Sequence, residues 1–390
     1  MPYQIFCLDK SRKPSRTSTG TPKYNNYTRN EIRRGVNMKD LMGIIYLNKP
    51  EQDGKLPILT RNRCIASLPI WSKFRLIDFI LTNMVQSGIE NIALLSTIKY
   101  RALINHLQGG AAWGLDKKRD GLFIFIPTMS QSSYNLGHFD FQLLSENIDH
   151  IKKSHQDYLV FAPGNLVGNI DFQWLLNFHK KQEKDITYVR PGTDYASYSK
   201  DLSEDGYYQM HPIFLISKSL MVKLIREYYY TNFNGSITDL MTSSIRNNGL
   251  TINEVNYPNL NCITNMENYF NFSMNILETP EMLTGNMEVP VTKKRDLPPT
   301  RYYEGCEISQ SLIAEGCHIK GEVNSSIIFH SVSIERGTQI SNSIIFPETI
   351  INENSLLNEV IADKQVYISE NKQLINSSTK PLVLSKQARV

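Results

Sequence analysis

Cysteine is scarce in this 390-residue chain, with five residues at positions 7, 64, 262, 306 and 317. The count is odd and no two form a Cys-x-x-Cys pair, which argues against a disulfide-built scaffold or a paired zinc site. The thiols are expected to be structural or incidental, in a reducing, cytoplasmic compartment. No apolar run approaches the ~20 residues of a membrane span. Positive charge is also scarcer than the formal net of +4 suggests. Residues 1–37 hold eight Lys/Arg against Asp9 and Glu31, so residues 38–390 carry a net of −2. A general nucleic-acid surface therefore does not follow. The basic segment is polar, without apolar periodicity or the apolar stretch of a signal peptide. It is expected to be a disordered extension upstream of a start at Met38. Its charges are scattered, which disfavours a nucleic-acid or membrane arm.

Glycine is missing where it would matter most. The stretch GIIYLNKPEQDGKLPILTRNR (43–63) opens on a strand-like apolar run, then reaches the place where a nucleotide-binding α/β domain carries its phosphate loop. Such loops use glycines because backbone N–H groups must come close to the phosphates. Here Pro50, Glu51, Gln52 and Asp53 stand there, with one glycine at Gly54.

What is present divides into two halves. From Leu41 to about Phe270, strand-like runs (41–47, 91–97, 122–127, 158–164, 186–189 and 212–217) alternate with helical patterns (73–88, 139–155 and 171–184). That alternation predicts a mostly parallel sheet covered on both faces, with ligands at the carboxyl ends of its strands. After about residue 300, apolar residues recur every six positions: Ile328, Ile334, Ile340 and Phe346, then Ile344, Ile350, Leu356 and Ile368. A six-residue period predicts a parallel β-helix with these rows as its core. The expected organisation is a disordered extension (1–37), an α/β domain (38–275), a linker (276–300), a β-helix (301–375) and a tail (376–390).

The segment KFRLIDFILTNMVQSGI (73–89) closely resembles the KYRIIDF…LSN…SGI segment of the glucose-1-phosphate adenylyltransferase (ADP-glucose pyrophosphorylase) family. NIALLSTIKYRALINHLQGGAAWGLD (91–116) is similar to the strand, helix and W-x-LD stretch that follow there. The resemblance runs from residue 40 to about 370. It implies a Rossmann-like, GT-A-like nucleotidyltransferase domain with a mixed, mostly parallel sheet, followed by a left-handed β-helix of hexapeptide repeats. Catalytic members join ATP and glucose 1-phosphate with Mg²⁺, releasing pyrophosphate. That reaction needs a glycine-lined cradle, several cations and carboxylates for the metal.

Compared with that pattern, this chain has lost the parts that carry charge. The loop G-G-R-G-x-R-L falls on Pro50 to Leu56, and its last arginine survives as Lys55. The lysine of R-A-K-P is Ile65. The W-Y-x-G-T-A-D-A element becomes Tyr134 to Phe141, keeping Gly137 and Asp140 but placing His138 and Phe139 where small residues admit ligand. The metal-binding aspartate of G-D-H is Asn165, after Gly164. A second acid, from D-V-G-T, aligns with Cys262. Together these changes remove several kcal/mol of charge stabilisation, roughly three or more powers of ten in rate. No intact catalytic residue and no bound metal are expected. Lys55, Lys73, Arg75, Tyr134, Gly137, Asp140 and Gly164 remain as candidates for residual ligand binding.

The resemblance therefore implies the GlgD-type branch, a non-catalytic subunit that modulates a catalytic GlgC-type partner in a hetero-oligomer, expected to be a heterotetramer. Mg²⁺ then belongs to the partner's active site, and a small-molecule effector is compatible with Lys293, Lys294 and Arg295 in the linker. Each residue also has a plainer reading. Lys73, Arg75 and Asp78 can form local ion pairs; His106, His138 and His179 can be ordinary polar residues; Asp140 can oppose a helix dipole. Cys306 and Cys317 suit small positions in the first coil. An active nucleotidyltransferase with relocated ligands, a stand-alone sensor and, more remotely, an acyltransferase stay open as alternatives.

Overall fold

The computed structural model describes residues 4–6, 38–47, 55–127, 139–191, 213–231, 233, 235–279, 289–376 and 380–390. The α/β half is organised on a seven-stranded sheet. In chain order its strands are β1 (Leu41–Tyr46), β2 (Asn91–Leu95), β3 (Gly121–Phe125), β4 (Tyr158–Pro163), β5 (Ile186–Pro191), β6 (Ile213–Ser217) and β7 (Ile252–Tyr257). They lie in the order 3-2-1-4-6-5-7. Only β6 runs antiparallel to its neighbours β4 and β5, so the sheet is mixed and mostly parallel. All six expected strands are present. The seventh, INEVNY, is an edge strand whose apolar residues are interrupted by polar ones, so it leaves no apolar run in the sequence.

The apolar runs are continuous because both faces are covered. Ile45, Ile92, Leu94, Val160 and Ala162 join one core cluster, packed under α1 (Leu76–Gln86). Met42, Ile44, Ala93, Leu95, Phe161 and Phe214 join the other. There Phe161 and Phe214 stack with ring centroids 4.5 Å apart. The predicted helix 139–155 is two helices, α2 (Phe139–Glu146) and α3 (Ile148–Lys153). It breaks at Asn147, whose side-chain amide turns back to the Leu143 carbonyl at 2.8 Å, a local bond that competes with the helix ladder. The helix predicted from residue 73 starts at Leu76, because Phe74–Arg75 pairs with Pro69–Ile70 as a short hairpin.

Three parallel sheets form the β-helix, in keeping with the left-handed hexapeptide fold. From Val323 onward its coil is one residue shorter than three hexapeptides, and the coil before it is shorter still, Leu312 stacking on Ile327. Ile328, Ile345 and Ala362 are stacked partners, as are Ile334, Ile351 and Ile368. A serine ladder fixes this spacing. Ser326 Oγ accepts from the Ser343 amide at 3.1 Å, and Ser343 Oγ accepts from the Val360 amide at 3.0 Å, each 17 residues on. Both hydroxyls donate back to a backbone carbonyl two residues earlier, so no buried polar group of the ladder is left wanting.

The short side of the coil corrects the expected core rows. Ile328, Ile334 and Ile340 do point inward, but Ile345 follows them, and Phe346 belongs to another cluster. In the second row only Ile368 is in the coil core; Ile350 is 43% exposed and Ile344 faces the α/β domain. Leu312, Ile327, Ile344 and Ile361, one per coil, line up on the outer face of one sheet. They pack with Trp71, Phe74, Phe79 and Tyr269 in a shared apolar cluster. The β-helix is thus docked on the α/β domain by a buried apolar face.

The expected boundaries also shift. Gln4–Phe6, within the segment expected to lack structure, pairs antiparallel with Ser311–Ile313; residues 7–37 lie outside the described residues. Helix α7 (Met266–Glu278), last after α4 (Phe172–Gln182), α5 (Lys218–Tyr229), α6 (Ile237–Asn248) and the earlier, shorter Arg101–Leu107 helix, crosses the boundary expected at 275. The linker residues 289–300 run along the domain, with the Val291 amide donating to Thr82 Oγ1 at 2.8 Å. The tail is not separate either: Leu382–Leu384 adds a strand beside Val360–Ala362. Its six-residue signal is lost among polar residues, which hid it in the sequence.

Candidate functional site

Strand order reverses between β1 and β4, the place where such sheets open a crevice at their carboxyl ends. The two strands leave the sheet together, with the Gly164 amide donating to the Tyr46 carbonyl at 3.0 Å. The floor between them is closed by apolar atoms. A Cβ on Gly164 would come within 2.8 Å of Leu47, 3.0 Å of Ala66 and 3.3 Å of Ile77. Glycine is therefore needed here for close packing, whatever it once did for a ligand.

Asn165 is buried, with 1% exposed. Its Nδ2 donates to the Ile263 carbonyl at 2.6 Å. Cys262 sits beside it, because Asn261–Cys262 pairs with Leu166–Val167 and puts Cys262 opposite Leu166. The structure so brings together the two positions expected to replace acidic metal ligands. Asn165 Oδ1 has no hydrogen-bond partner. Desolvation pushes the Cys262 thiol up to about 12, which keeps it protonated and a poor ligand. One neutral amide oxygen beside a protonated thiol does not fit Mg²⁺, which takes hard, largely anionic oxygens in octahedral array. Among the described residues no group of three or more His, Cys, Asp or Glu could hold a metal.

The other expected site residues are dispersed. Ile65 is fully buried in the cluster shared with the β-helix, so its side chain serves docking. Lys55 is exposed, and the loop before it lies outside the described residues, as do Tyr134 and Gly137. Asp140 accepts from the Phe141 amide at 2.9 Å and the Ile237 amide at 3.3 Å, serving the starts of α2 and α6. Lys73 occupies the hairpin turn, its amide donating to the Trp71 carbonyl at 2.7 Å. Arg75 precedes α1, its amide donating to Asp78 Oδ2 at 2.9 Å, while its Nη1 donates to the Ala102 carbonyl at 2.7 Å. The plain reading of His106 needs sharpening: its Nε2 meets Asp78 Oδ1 at 2.5 Å, both fully buried.

A cluster of cations missed in the sequence lies at the junction of the two domains. Arg63 pairs with Asp363, and its guanidinium lies 5.5 Å from the Phe346 ring centroid. Burial, with Arg75, Arg63 and Arg295 nearby, pushes the Lys364 ammonium down to about 7. His330 falls to about 3 by burial, then by Arg295, Lys364 and Arg75. Burial likewise lowers Arg75 to about 10, with Asp78 opposing it. Among the described residues neither Arg295 nor Lys364 has an ion-pair partner, and Asp78, Asp363 and Glu348 are the acids that face the group. These residues come from chain positions as distant as 63 and 364, so no local motif announces them; Arg295 in the linker was the one visible sign.

Comparison with known proteins agrees with this architecture. A family profile described as "Nucleotidyl transferase" matches residues 54–198, and one described as "GlmU-like, C-terminal hexapeptide" matches residues 299–377. The glycogen biosynthesis protein GlgD of Bacillus subtilis (strain 168) is 32% identical over 332 residues, covering 84% of this chain and 91% of that protein. GlgD of Geobacillus stearothermophilus is 34% identical over 290 residues, covering 72% and 78%. Glucose-1-phosphate adenylyltransferase of Clostridioides difficile (strain 630) is 22% identical over 367 residues, covering 87% and 94%. With the sheet order, the hexapeptide coils and this breadth of coverage in agreement, the chain belongs to the GlgD family of glycogen biosynthesis proteins, within the wider glucose-1-phosphate adenylyltransferase family.

Proposed function

We propose that this chain is a catalytically impaired GlgD-type subunit of glucose-1-phosphate adenylyltransferase, acting in ADP-glucose formation for glycogen synthesis by modulating a catalytic GlgC-type partner. The observation that carries this reading is the pairing of buried Asn165 with protonated Cys262 where the family's metal carboxylates align. Around it the scaffold is intact. In-line phosphoryl chemistry would have to proceed there without an anchored divalent ion, at a large cost in rate. Mg²⁺ then works at the partner's active site, and this chain binds no metal of its own.

The junction supports a regulatory role. Arg63, Arg75, Arg295 and Lys364 repel one another in a partly desolvated space, so a small anionic effector would relieve strain there. An effector held between the two domains could bias their packing and so a partner in a heterotetramer. Among the described residues no helix is long and apolar enough to cross a membrane, which is compatible with a cytoplasmic assembly.

The test is ADP-glucose formation by the purified chain alone, by the catalytic partner alone and by their mixture. The chain alone should be silent or nearly so, and the mixture should differ from the partner in substrate affinity or effector response. Turnover by this chain comparable to the partner's would instead support an active nucleotidyltransferase with relocated ligands.

A further inference from the structure

The two edges of the seven-stranded sheet are finished differently. The β7 edge carries Asn253, Glu254 and Asn256, and Glu254 pairs with Arg190. Polar and charged side chains of this kind keep an edge from taking up another strand. The β3 edge, GLFIF continuing to Ile126, has no charged residue. Leu122, Phe123, Ile124 and Phe125 are half-buried, and Ile126 is 37% exposed.

Backbone groups alternate along β3. The Gly121 amide donates to the Glu90 carbonyl at 2.7 Å, and the Phe125 carbonyl accepts from the Ser96 amide at 2.9 Å. Residues 121, 123 and 125 therefore address β2 in the parallel ladder, and Leu122, Ile124 and Ile126 direct their groups away from the sheet. The Leu122 amide is used, donating to the Leu115 carbonyl at 3.0 Å. Among the described residues nothing takes the Leu122 carbonyl, the Ile124 amide and carbonyl or the Ile126 amide. The side chains are already held. Phe123 and Phe125 lie with ring centroids 4.2 and 5.4 Å from His150 of α3, and Leu122 and Ile124 pack on the core under α1. An edge ordered in advance loses little entropy when a strand adds to it.

That edge is complementary to itself. With a second copy placed antiparallel about a twofold axis at Ile124, the two Ile124 residues exchange both N–H···O bonds, and each Leu122 carbonyl accepts from the Ile126 amide of the other copy. A twofold at Leu122 fails, because that amide is already bound to Leu115. The Ile124 register sets Phe123 against Phe125 on one face and Leu122 against Ile126 on the other, aromatic and aliphatic pairs of the kind that stabilise sheets. No charge meets its own copy within the paired run.

We propose that β3 is a self-association edge, where a second copy of this chain adds antiparallel and the sheet runs on from one molecule into the other. The proposal does not rest on the chain's catalytic impairment or on the junction cluster, and a hetero-oligomer holding two copies of this chain accommodates it.

The experiment is sedimentation equilibrium of the full chain from about 1 to about 100 µM, the span expected of an interface at the small end of specific association. Amide hydrogen exchange is measured at both ends of that range. Dimer formation should slow exchange at Ile124 and Ile126, while Phe123 and Phe125, bonded to β2, stay slow throughout. Ile126→Lys, at an exposed side chain, should weaken dimerisation by at least about tenfold. Ile124→Pro removes the central donor without removing a bond to β2 and should do the same; thermal melting checks that each variant folds. Tyr367→Lys, at a side chain 40% exposed on the β-helix, should leave the dimer unchanged. A chain that stays monomeric throughout the range overturns the proposal, as does a dimer untouched by Ile126→Lys or one lost in Tyr367→Lys instead. Full protection of Ile124 in the monomer also overturns it, since the chain's own residues would then cover this edge. So does pairing that needs the catalytic partner, which would assign the edge to that subunit.

Discussion

Asn165 and Ile263 are tied by two hydrogen bonds, from Asn165 Nδ2 to the Ile263 carbonyl at 2.6 Å and from the Ile263 amide to the Asn165 carbonyl at 3.1 Å. The side chain aligned with a metal ligand therefore works as a staple between β4 and the Asn261–Cys262 strand. Asn165→Asp would remove the donor and place a carboxylate against a carbonyl. It should cost about 1–3 kcal/mol, read as a lower melting temperature, and should not awaken ADP-glucose formation. A melting temperature that rises with added Mg²⁺ in this variant, together with turnover, would contradict that.

The shortened coil predicts opposite outcomes at two neighbouring positions. Phe346 is fully buried, 5.2 Å from the Phe329 ring and beneath Arg63. Phe346→Ala should destabilise by about 3–5 kcal/mol. Ile350 is 43% exposed, and Ile350→Ala should change stability by less than about 0.5 kcal/mol. Chemical denaturation of both variants checks the register directly. Equal losses would mean that residues 344–350 follow an unbroken six-residue phase.

That register shows where sequence reading stops. The strands β1, β2 and β4 are visible because burial on two faces leaves continuous apolar runs, and the hexapeptide period is visible because no helix or hairpin repeats every six. Phase is another matter. Ile344, Ile345 and Phe346 are all apolar, and only the neighbouring coils decide that Ile345 turns inward. Asn165 and Cys262 could be matched to family motifs one at a time, but their adjacency comes from the pairing of Asn261–Cys262 with Leu166–Val167, far apart in the chain. The junction cations were hidden for the same reason, since charge meets there through domain docking rather than through spacing.

Lys364 carries a cost that should be visible as a function of pH. Its folded pKa of about 7 lies below the model-peptide value of 10.5, so the unfolded chain binds the proton more tightly between those values. Stability contributed by this group is present above pH 10.5 and lost as pH falls through 7. Lys364→Met should therefore raise the melting temperature most at or below pH 7, with the gain shrinking toward pH 10. Sulfate should narrow the difference by screening Arg63, Arg75 and Arg295. Melting curves of both proteins at pH 6 and pH 9 decide it: an equal gain at the two values would show that Lys364 is not desolvated by the junction.

His179 sets a separate acid limit within the α/β domain. It lies between α4 and β5, with Nδ1 at 2.8 Å from Thr187 Oγ1 and its ring 5.6 Å from Tyr158. Burial is the main cause that lowers its pKa from 6.5 to about 4, with Asp185 opposing and Lys180 adding. The folded state thus holds the neutral ring. Its contribution is complete above pH 6.5 and is lost as pH falls through 4, amounting to about 3 kcal/mol at most. His179→Gln retains a hydrogen-bonding side chain for Thr187 and cannot take up the proton. Its unfolding free energy in urea should be lower than the parent's at pH 7 and should fall less steeply between pH 6.5 and 4. Parallel slopes for the two proteins would mean that His179 is hydrated enough to titrate normally, and that acid sensitivity lies with His106 and His330 at the junction.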